Sequence, residues 1–176
     1  MASQWRKISQ EEAFVGRTHQ VEDELGSRVV AARMVREIMR LCFIQEKKYI
    51  PYTKWFGKGF QQLESAAHLT PVLLDVISVT DFESRESKLS EAYEYVATRH
   101  NNLNITEQLE AEVSDFWDRP FKVIHGERFE KAIKDEIKSE ILKNLTIKFG
   151  SVDQFVDDTD FLSNHEVTSK SSELYI

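Results

Sequence analysis

Four basic side chains between residues 33 and 47 have the spacing of an anion-binding site. Arg33, Arg36, Arg40 and Lys47 fall within an arc of about 60° when the segment is drawn as a helix of about 100° per residue. Guanidinium groups bind phosphate oxygens through paired N–H···O bonds, so this column suits a triphosphate or a phosphodiester. The alternative is a solvated face that pairs with carboxylates such as Glu37.

An aromatic run follows at residues 49–57, Tyr-Ile-Pro-Tyr-Thr-Lys-Trp-Phe-Gly. Rings beside a lysine can stack on a base while the ammonium group meets a phosphate. Pro51 cannot continue a helix, and we expect the bend there to present three side chains at a cleft: Tyr52, Lys54 and Trp55. The alternative is a helix corner whose rings fold into the core, which we favour for Phe56 and Phe60.

Three further side chains are weaker candidates for the same cleft: His100, Asn101 and Arg119. His100 has no visible catalytic partner in the sequence, and a structural role near a helix C-terminus suits it as well. Arg119 and His125 have the spacing found in helical ribonucleases of the HEPN type. Pro120 directly follows the arginine, however, and argues against a helix that displays both side chains.

The motifs of several enzyme classes are missing from the sequence. The five histidines are scattered and there is one cysteine, so no paired metal-ligand spacing occurs. Nucleotidyltransferases of the polymerase-β type need a Gly-Ser turn and an Asp-x-Asp pair on a strand that binds two magnesium ions. Gly26-Ser27 precedes no such pair, and Gly150-Ser151 lies too close to the acidic turn at residues 158–160. We therefore expect neither a catalytic centre nor a metal or other cofactor held by this chain alone.

Charge is unevenly distributed along the 176 residues, whose net charge is −7. Residues 28–58 carry eight basic and two acidic side chains, whereas residues 151–176 carry six acids and one lysine. The basic block is a candidate anion surface, but the overall acidity argues against a general nucleic-acid binder. No signal peptide and no apolar stretch of about 20 residues is present, so we expect a cytoplasmic protein without membrane contact.

Composition and periodicity predict an all-α, multi-helix bundle. The chain has six glycines and three prolines, and few turn residues favour helices over many short strands. A single domain is predicted over residues 1–162, followed by a disordered tail over 163–176. Gly16 is expected to end the first helix, and Leu25 and Val29 to point inward. The predicted helices cover residues 3–15, 24–49, 71–79, 81–101, 107–117 and 127–149, with an aromatic segment at 52–63 and an extended stretch at 121–124.

Several segments together resemble a known bacterial family. They are residues 5–8 (Trp-Arg-Lys-Ile), 14–17 (Phe-Val-Gly-Arg), 23–28 (Asp-Glu-Leu-Gly-Ser-Arg), 51–57 (Pro-Tyr-Thr-Lys-Trp-Phe-Gly), 100–103 (His-Asn-Asn-Leu), 119–124 (Arg-Pro-Phe-Lys-Val-Ile) and 150–155 (Gly-Ser-Val-Asp-Gln-Phe). The chain resembles the C-terminal helical region of the domain-of-unknown-function family 4037, whose longer members carry a nucleotidyltransferase-like domain in front of it. We expect that domain to be missing from this chain, and the chain to be a truncated or split form.

The resemblance implies a helical accessory or substrate-binding domain, like the helical half of two-domain nucleotidyltransferases. By this analogy, the three arginines would meet phosphates, and the side chains around Trp55 would contact a base or an acceptor. The implied partners are a nucleotide or phosphorylated ligand and a nucleotidyltransferase-like domain, which would supply magnesium with the nucleotide in trans. Two alternatives stay open: a module that docks a separate partner chain, and, with less support, a helical ribonuclease.

Overall fold

The described part of the chain is built almost entirely from helices. The computed structural model describes residues 1–144, 150, 156 and 159–175. Its elements are α1 (Ala2–Glu11), α2 (Phe14–Gln20), α3 (Glu24–Gln45), α4 (Thr53–Phe60), α5 (Ala66–Ser78), α6 (Phe82–Asn102), β1 (Ser114–Phe116), β2 (Arg119–Val123), α7 (Gly126–Asp135), α8 (Glu140–Lys143), α9 (Thr159–Ser163) and α10 (His165–Lys170), followed by a 3-10 turn at Ser171–Tyr175. The predicted all-α, multi-helix fold is confirmed.

Helix α3 is the central element of the fold. Asp23 caps its N-terminus by accepting a hydrogen bond from the Gly26 amide at 2.8 Å. Met34, Ile38 and Leu41 are completely buried on one side of it, where α1, α5 and α6 pack. The 3.6-residue period of a helix brings these apolar positions onto one face, so the core forms around that face.

Helix α6 covers the core from the other side and agrees with its prediction. Asp81 caps it by accepting a hydrogen bond from the Ser84 amide. Its inner stripe is buried: Leu89, Ala92, Tyr93, Val96 and Ala97. Near its start, buried Arg85 donates two hydrogen bonds to Glu24 of α3, at 3.1 and 2.9 Å. Those bonds lower the pKa of Glu24 to about 2, and the pair fixes the start of α6 against the start of α3.

The prediction that Gly16 ends the first helix is wrong. Gly16 lies inside α2, where the ring of Phe121 packs so closely that an added Cβ would sit 2.3 Å from the ring. Glycine serves here as the contact between α2 and the strand β2, because any larger side chain would separate them. The predicted start of α5 at Thr70-Pro71 is also wrong, because the helix begins at Ala66 and Pro71 lies inside it.

The predicted helix over 107–117 is replaced by a loop and a β-hairpin. Asn101 holds the loop by accepting from the Leu109 amide at 3.0 Å and donating to its carbonyl at 2.7 Å. Strands β1 and β2 then pair antiparallel, with Ser114 opposite Val123. The extended stretch predicted at 121–124 is confirmed over 121–123, and Phe121 is buried against α2.

The long helix predicted over 127–149 is interrupted. Helix α7 ends at Asp135, and α8 begins at Glu140 with Ser139 as its cap. Phe129 is buried in the first half, whereas Ile141 in the second half is exposed, so no packed surface holds the second half in line with the first. Residues 145–149 lie outside the described residues. The division into a domain over 1–162 and a tail over 163–176 stays a prediction.

Candidate ligand-binding surface

An exposed surface of alternating lysines and aromatic rings extends from the end of α3 through α4. We call it the aromatic–lysine surface, and it consists of Lys47, Lys48, Tyr49, Tyr52, Lys54, Trp55 and Lys58. Helix α3 ends just before it, and Lys47 adopts a left-handed conformation with φ of 54°. This turn and Pro51 carry the chain away from α3 and into α4.

Packing on one side of α4 forces the other side outward. Phe60 is buried, and the ring of Phe56 stacks on Phe43 of α3 with centroids 5.6 Å apart. Gly59 lies against Pro51, where a Cβ would approach the proline ring to 2.8 Å. With that side fixed, the opposite side points away from the core. Trp55 on that side is 51% exposed, and Tyr49 and Tyr52 in the segment before the helix are 89% and 46% exposed, which agrees with the predicted exposure of Tyr52 and Trp55.

The aromatic–lysine surface carries uncompensated positive charge. No acidic residue occurs between positions 47 and 63. Within residues 1–144 and the other described positions, its four lysines form no ion pair. The ammonium group of Lys54 lies 5.3 Å from the centre of the Trp55 ring, a distance at which a cation is attracted by the ring face. This surface can therefore offer rings and charge to one ligand.

Arg36 borders the aromatic–lysine surface. Its guanidinium group lies 5.9 Å from the centre of the Phe56 ring and 3.6 Å from the carboxylate of Glu37. The side chain is about one third exposed. Arg36 is thus the member of the predicted arginine column that the structure brings next to α4.

The other two arginines of the predicted column are held by contacts or burial within the fold. Arg33 forms a two-bond pair with Glu11, at 2.8 and 2.5 Å. Arg40 is only 5% exposed. Lys47 lies beyond the end of α3, so it continues the chain toward the rings of α4 and does not extend the helical column. Sequence periodicity alone could not reveal that Glu11 would lie opposite Arg33.

His100 lies in the core, away from the exposed surface. Trp5 donates its indole N–H to Nδ1 at 3.3 Å, and Nε2 lies 3.1 Å from the Thr106 hydroxyl. Because Nδ1 accepts, the proton of the neutral ring lies on Nε2 and points to Thr106. The side chain is completely buried, and this burial lowers the pKa of His100 to about 4. These features are those of a neutral structural histidine; Asn101 beside it is engaged with the 103–113 loop.

Arg119 lies at the far end of the fold from α4. It starts β2, is more than half exposed and lies 3.7 Å from Asp118. The hairpin packs near the start of α6, where the Lys122 amide donates to Glu86. The start of α6 is joined to the start of α3, whereas α4 follows the end of α3, about 33 Å away along that helix. His125 stands after β2 at the start of α7, so no helix displays Arg119 and His125 together.

Leu25 and Val29, which were predicted to point inward, lie instead on an exposed apolar face. Leu25 and Val29 of α3 are 75% and 53% exposed, and Ala32 is exposed beside them. Leu74 and Ile77 of the neighbouring helix α5 are also exposed. The Arg28 guanidinium donates to the Thr80 carbonyl at 3.0 Å and joins the two helix ends there. We call these five residues the apolar face.

The described residues contain neither a membrane-spanning helix nor a cluster of metal-binding side chains. No helix among them is long and apolar enough to cross a membrane. No group of three or more histidine, cysteine, aspartate or glutamate side chains among them has the geometry to hold a metal ion.

Comparison with known proteins identifies a family region at the N-terminal end of the chain. Residues 1–56 match the family model described as a domain of unknown function, DUF4037. The match covers α1 to α3 and reaches into α4, so it includes six of the seven residues of the aromatic–lysine surface. Neither the curated proteins nor the solved structures contain a match to the chain.

Proposed function

We propose that this chain is a helical ligand-binding module of a nucleotidyltransferase-like protein and that it carries no catalytic centre of its own. The observation that supports this function is the aromatic–lysine surface, which lies largely inside the region that matches the family model. The nucleotidyltransferase-like domain, acting in trans, supplies the magnesium ions and the chemistry of transfer. The helical module binds the nucleotide or another phosphorylated ligand.

The composition of the surface suits a ligand that combines a flat ring with phosphate. The exposed face of Trp55 can stack on a base, which is worth about 1–3 kcal/mol in comparable sites. Lys54 and Lys58 stand beside it on the exposed side of α4, where their ammonium groups can meet phosphate oxygens. Arg36 at the border adds a guanidinium group that can contact a phosphate on the α3 side.

A thermal-shift titration with ATP, GTP, CTP and UTP, with and without magnesium, tests this function. A ligand that binds the folded chain raises its melting temperature by mass action. Trp55→Ala should reduce that rise, whereas Trp117→Ala should not, because Trp117 is an exposed tryptophan on the hairpin at the other end of α3. The proposal is wrong if no nucleotide raises the melting temperature of the unmodified chain.

The apolar face favours a second function, a module that docks a separate partner chain. Exposed apolar residues on two adjacent helices are a common mark of protein interfaces. Leu25→Gln and Ile77→Gln together would abolish capture of such a partner in a pull-down and leave nucleotide binding unchanged. A pull-down of the same partners by the double variant would exclude this function for the apolar face.

A further inference from the structure

We infer that the ligand of the aromatic–lysine surface is a single-stranded nucleic acid that spans several nucleotides. The inference rests on the proposed function, because it assigns a substrate class to the same surface. The net charge of −7 argues against binding of nucleic acid over the whole surface. An acidic chain can still bind nucleic acid at one positive region, and the inference is limited to that region.

Lysines and exposed rings alternate along this surface. Lys48 precedes Tyr49, and Lys54 precedes Trp55, with Tyr52 between the two pairs and Lys58 one helical turn beyond Lys54. A single nucleotide offers one base to three rings. A single strand offers bases and phosphates in alternation, so it can use the rings and the ammonium groups at the same time.

The exposure of the rings favours a single strand over a duplex. Tyr49 and Trp55 have about nine-tenths and half of their surfaces exposed. Bases in a duplex are stacked on one another, so they cannot stack on protein rings without being unpaired. Helix α4 has eight residues, and its inner side is fixed against α3 by Phe56, so Trp55 on its exposed side is free to stack on an unpaired base.

The same geometry argues against a membrane surface as the ligand. Binding to a bilayer interface requires an amphipathic helix with a free apolar side that enters the acyl region. The apolar side of α4 is already used, since Phe60 is buried and Phe56 stacks on Phe43. What remains exposed are lysines and rings with polar groups, which suit a hydrated polyanion.

Fluorescence anisotropy with labelled single strands tests the inference. Oligothymidylates and oligouridylates of two, four and eight nucleotides would be titrated with the chain, beside a duplex of eight base pairs and unlabelled UMP as a competitor. We expect at least tenfold tighter binding to four nucleotides than to UMP, weaker binding to the duplex, and a loss of affinity with added salt because lysine–phosphate contacts release counterions.

Substitutions test whether the single strand binds at the aromatic–lysine surface. Trp55→Ala and Tyr52→Ala should each weaken binding of the eight-nucleotide strand roughly tenfold, and Lys54→Gln should reduce the salt dependence. The matched controls are Trp117→Ala and Lys131→Gln, which remove an exposed tryptophan and an exposed lysine elsewhere. Circular dichroism and melting temperature show which variants are folded.

Each alternative outcome has a separate meaning. Equal affinity for UMP and for all strand lengths would overturn the inference and leave the proposed nucleotide-binding function intact. Binding to neither single strands nor any nucleotide would overturn both. Tighter binding to the duplex, or binding only to vesicles that contain one-fifth phosphatidylserine, would overturn the inference and identify a different class of ligand.

Discussion

The indole N–H of Trp5 donates a hydrogen bond to Nδ1 of His100 at 3.3 Å, across 95 residues of sequence. Both side chains are completely buried, and Phe129 of α7 stacks on the Trp5 ring with centroids 4.2 Å apart. This contact joins α1, α6 and α7 in one packed cluster. It explains why a histidine that resembles a candidate ligand residue in the sequence is a part of the core.

Acid should lower the free energy of unfolding because of the buried side chain of His100. Its pKa is lowered to about 4 by burial, against 6.5 in the unfolded chain, so below pH 6.5 the unfolded state takes up a proton that the folded state resists. The free energy of unfolding should therefore decrease by about 1 to 2 kcal/mol between pH 7 and pH 4.5 on this account. Urea unfolding at both values, for the unmodified chain and for His100→Gln, measures it.

The comparison with His100→Gln is needed because other groups also titrate. Burial raises the pKa of Glu12 to about 7, so its protonation below pH 7 favours the folded state and opposes the effect of His100. Glu24, with its pKa near 2, acts only below about pH 4.5. Both contributions are present in the two chains and cancel in their difference. An identical pH dependence of the two chains would contradict the role assigned to His100.

Glu12→Ala should cost stability even though the residue lies in no proposed binding surface. The Glu12 carboxylate accepts hydrogen bonds from three backbone amides, those of Ile124, His125 and Gly126, at 2.7 to 3.1 Å. Removing it leaves buried N–H groups unpaired at the start of α7, with an expected loss of about 3 kcal/mol. Glu11→Ala is the matched control, because its ion pair with Arg33 lies nearer the surface and contributes about 1 kcal/mol or less. Equal losses for the two variants in urea unfolding would disprove this role of Glu12.

Two glycines should respond oppositely to the same substitution. Gly16→Ala places a Cβ 2.3 Å from the Phe121 ring, and the required shift should cost about 1 to 3 kcal/mol. Gly57→Ala, on the open side of α4, meets nothing within 4 Å and should stabilise the helix by about 0.5 to 1 kcal/mol. Melting temperatures of the two variants give the comparison directly, and a Gly16→Ala chain as stable as the unmodified one would show that β2 does not need this close contact.

Arg36→Ala and Lys54→Ala should weaken anion binding without unfolding the chain. Lys54 is exposed, and Arg36 lies at the border of the aromatic–lysine surface. Each substitution should reduce nucleotide affinity several-fold, since a charge-assisted hydrogen bond contributes about 1.5 to 3 kcal/mol when buried and less when exposed. Isothermal titration with the nucleotide that gives the largest thermal shift measures this, with Lys131→Gln as the control. Unchanged affinity in both variants would show that the nucleotide does not bind at this surface.

The sequence by itself determined the helical character of the chain and the inner side of its clearest helix. Leu89, Tyr93 and Val96 follow the period of a helix and are buried together in α6. Asp23 and Asp81 are of a residue type favoured at helix N-termini, and they cap α3 and α6. It also predicted the exposure of Tyr52 and Trp55, because a proline-induced bend next to a short helix leaves one side of that helix without a partner. These features depend on local backbone geometry, which neighbouring residues set.

Contacts between distant residues decided the remainder. Glu46 accepts hydrogen bonds from the Glu64 and Ser65 amides and thereby starts α5 ahead of Pro71. Glu11 forms an ion pair with Arg33. Phe121 packs directly against Gly16 inside α2. Leu25 and Val29 have the spacing of core residues, yet no described element covers them. Periodicity predicts that a face is apolar, but only the tertiary arrangement determines which element packs on that face. The same arrangement determines which charged groups remain available to a ligand.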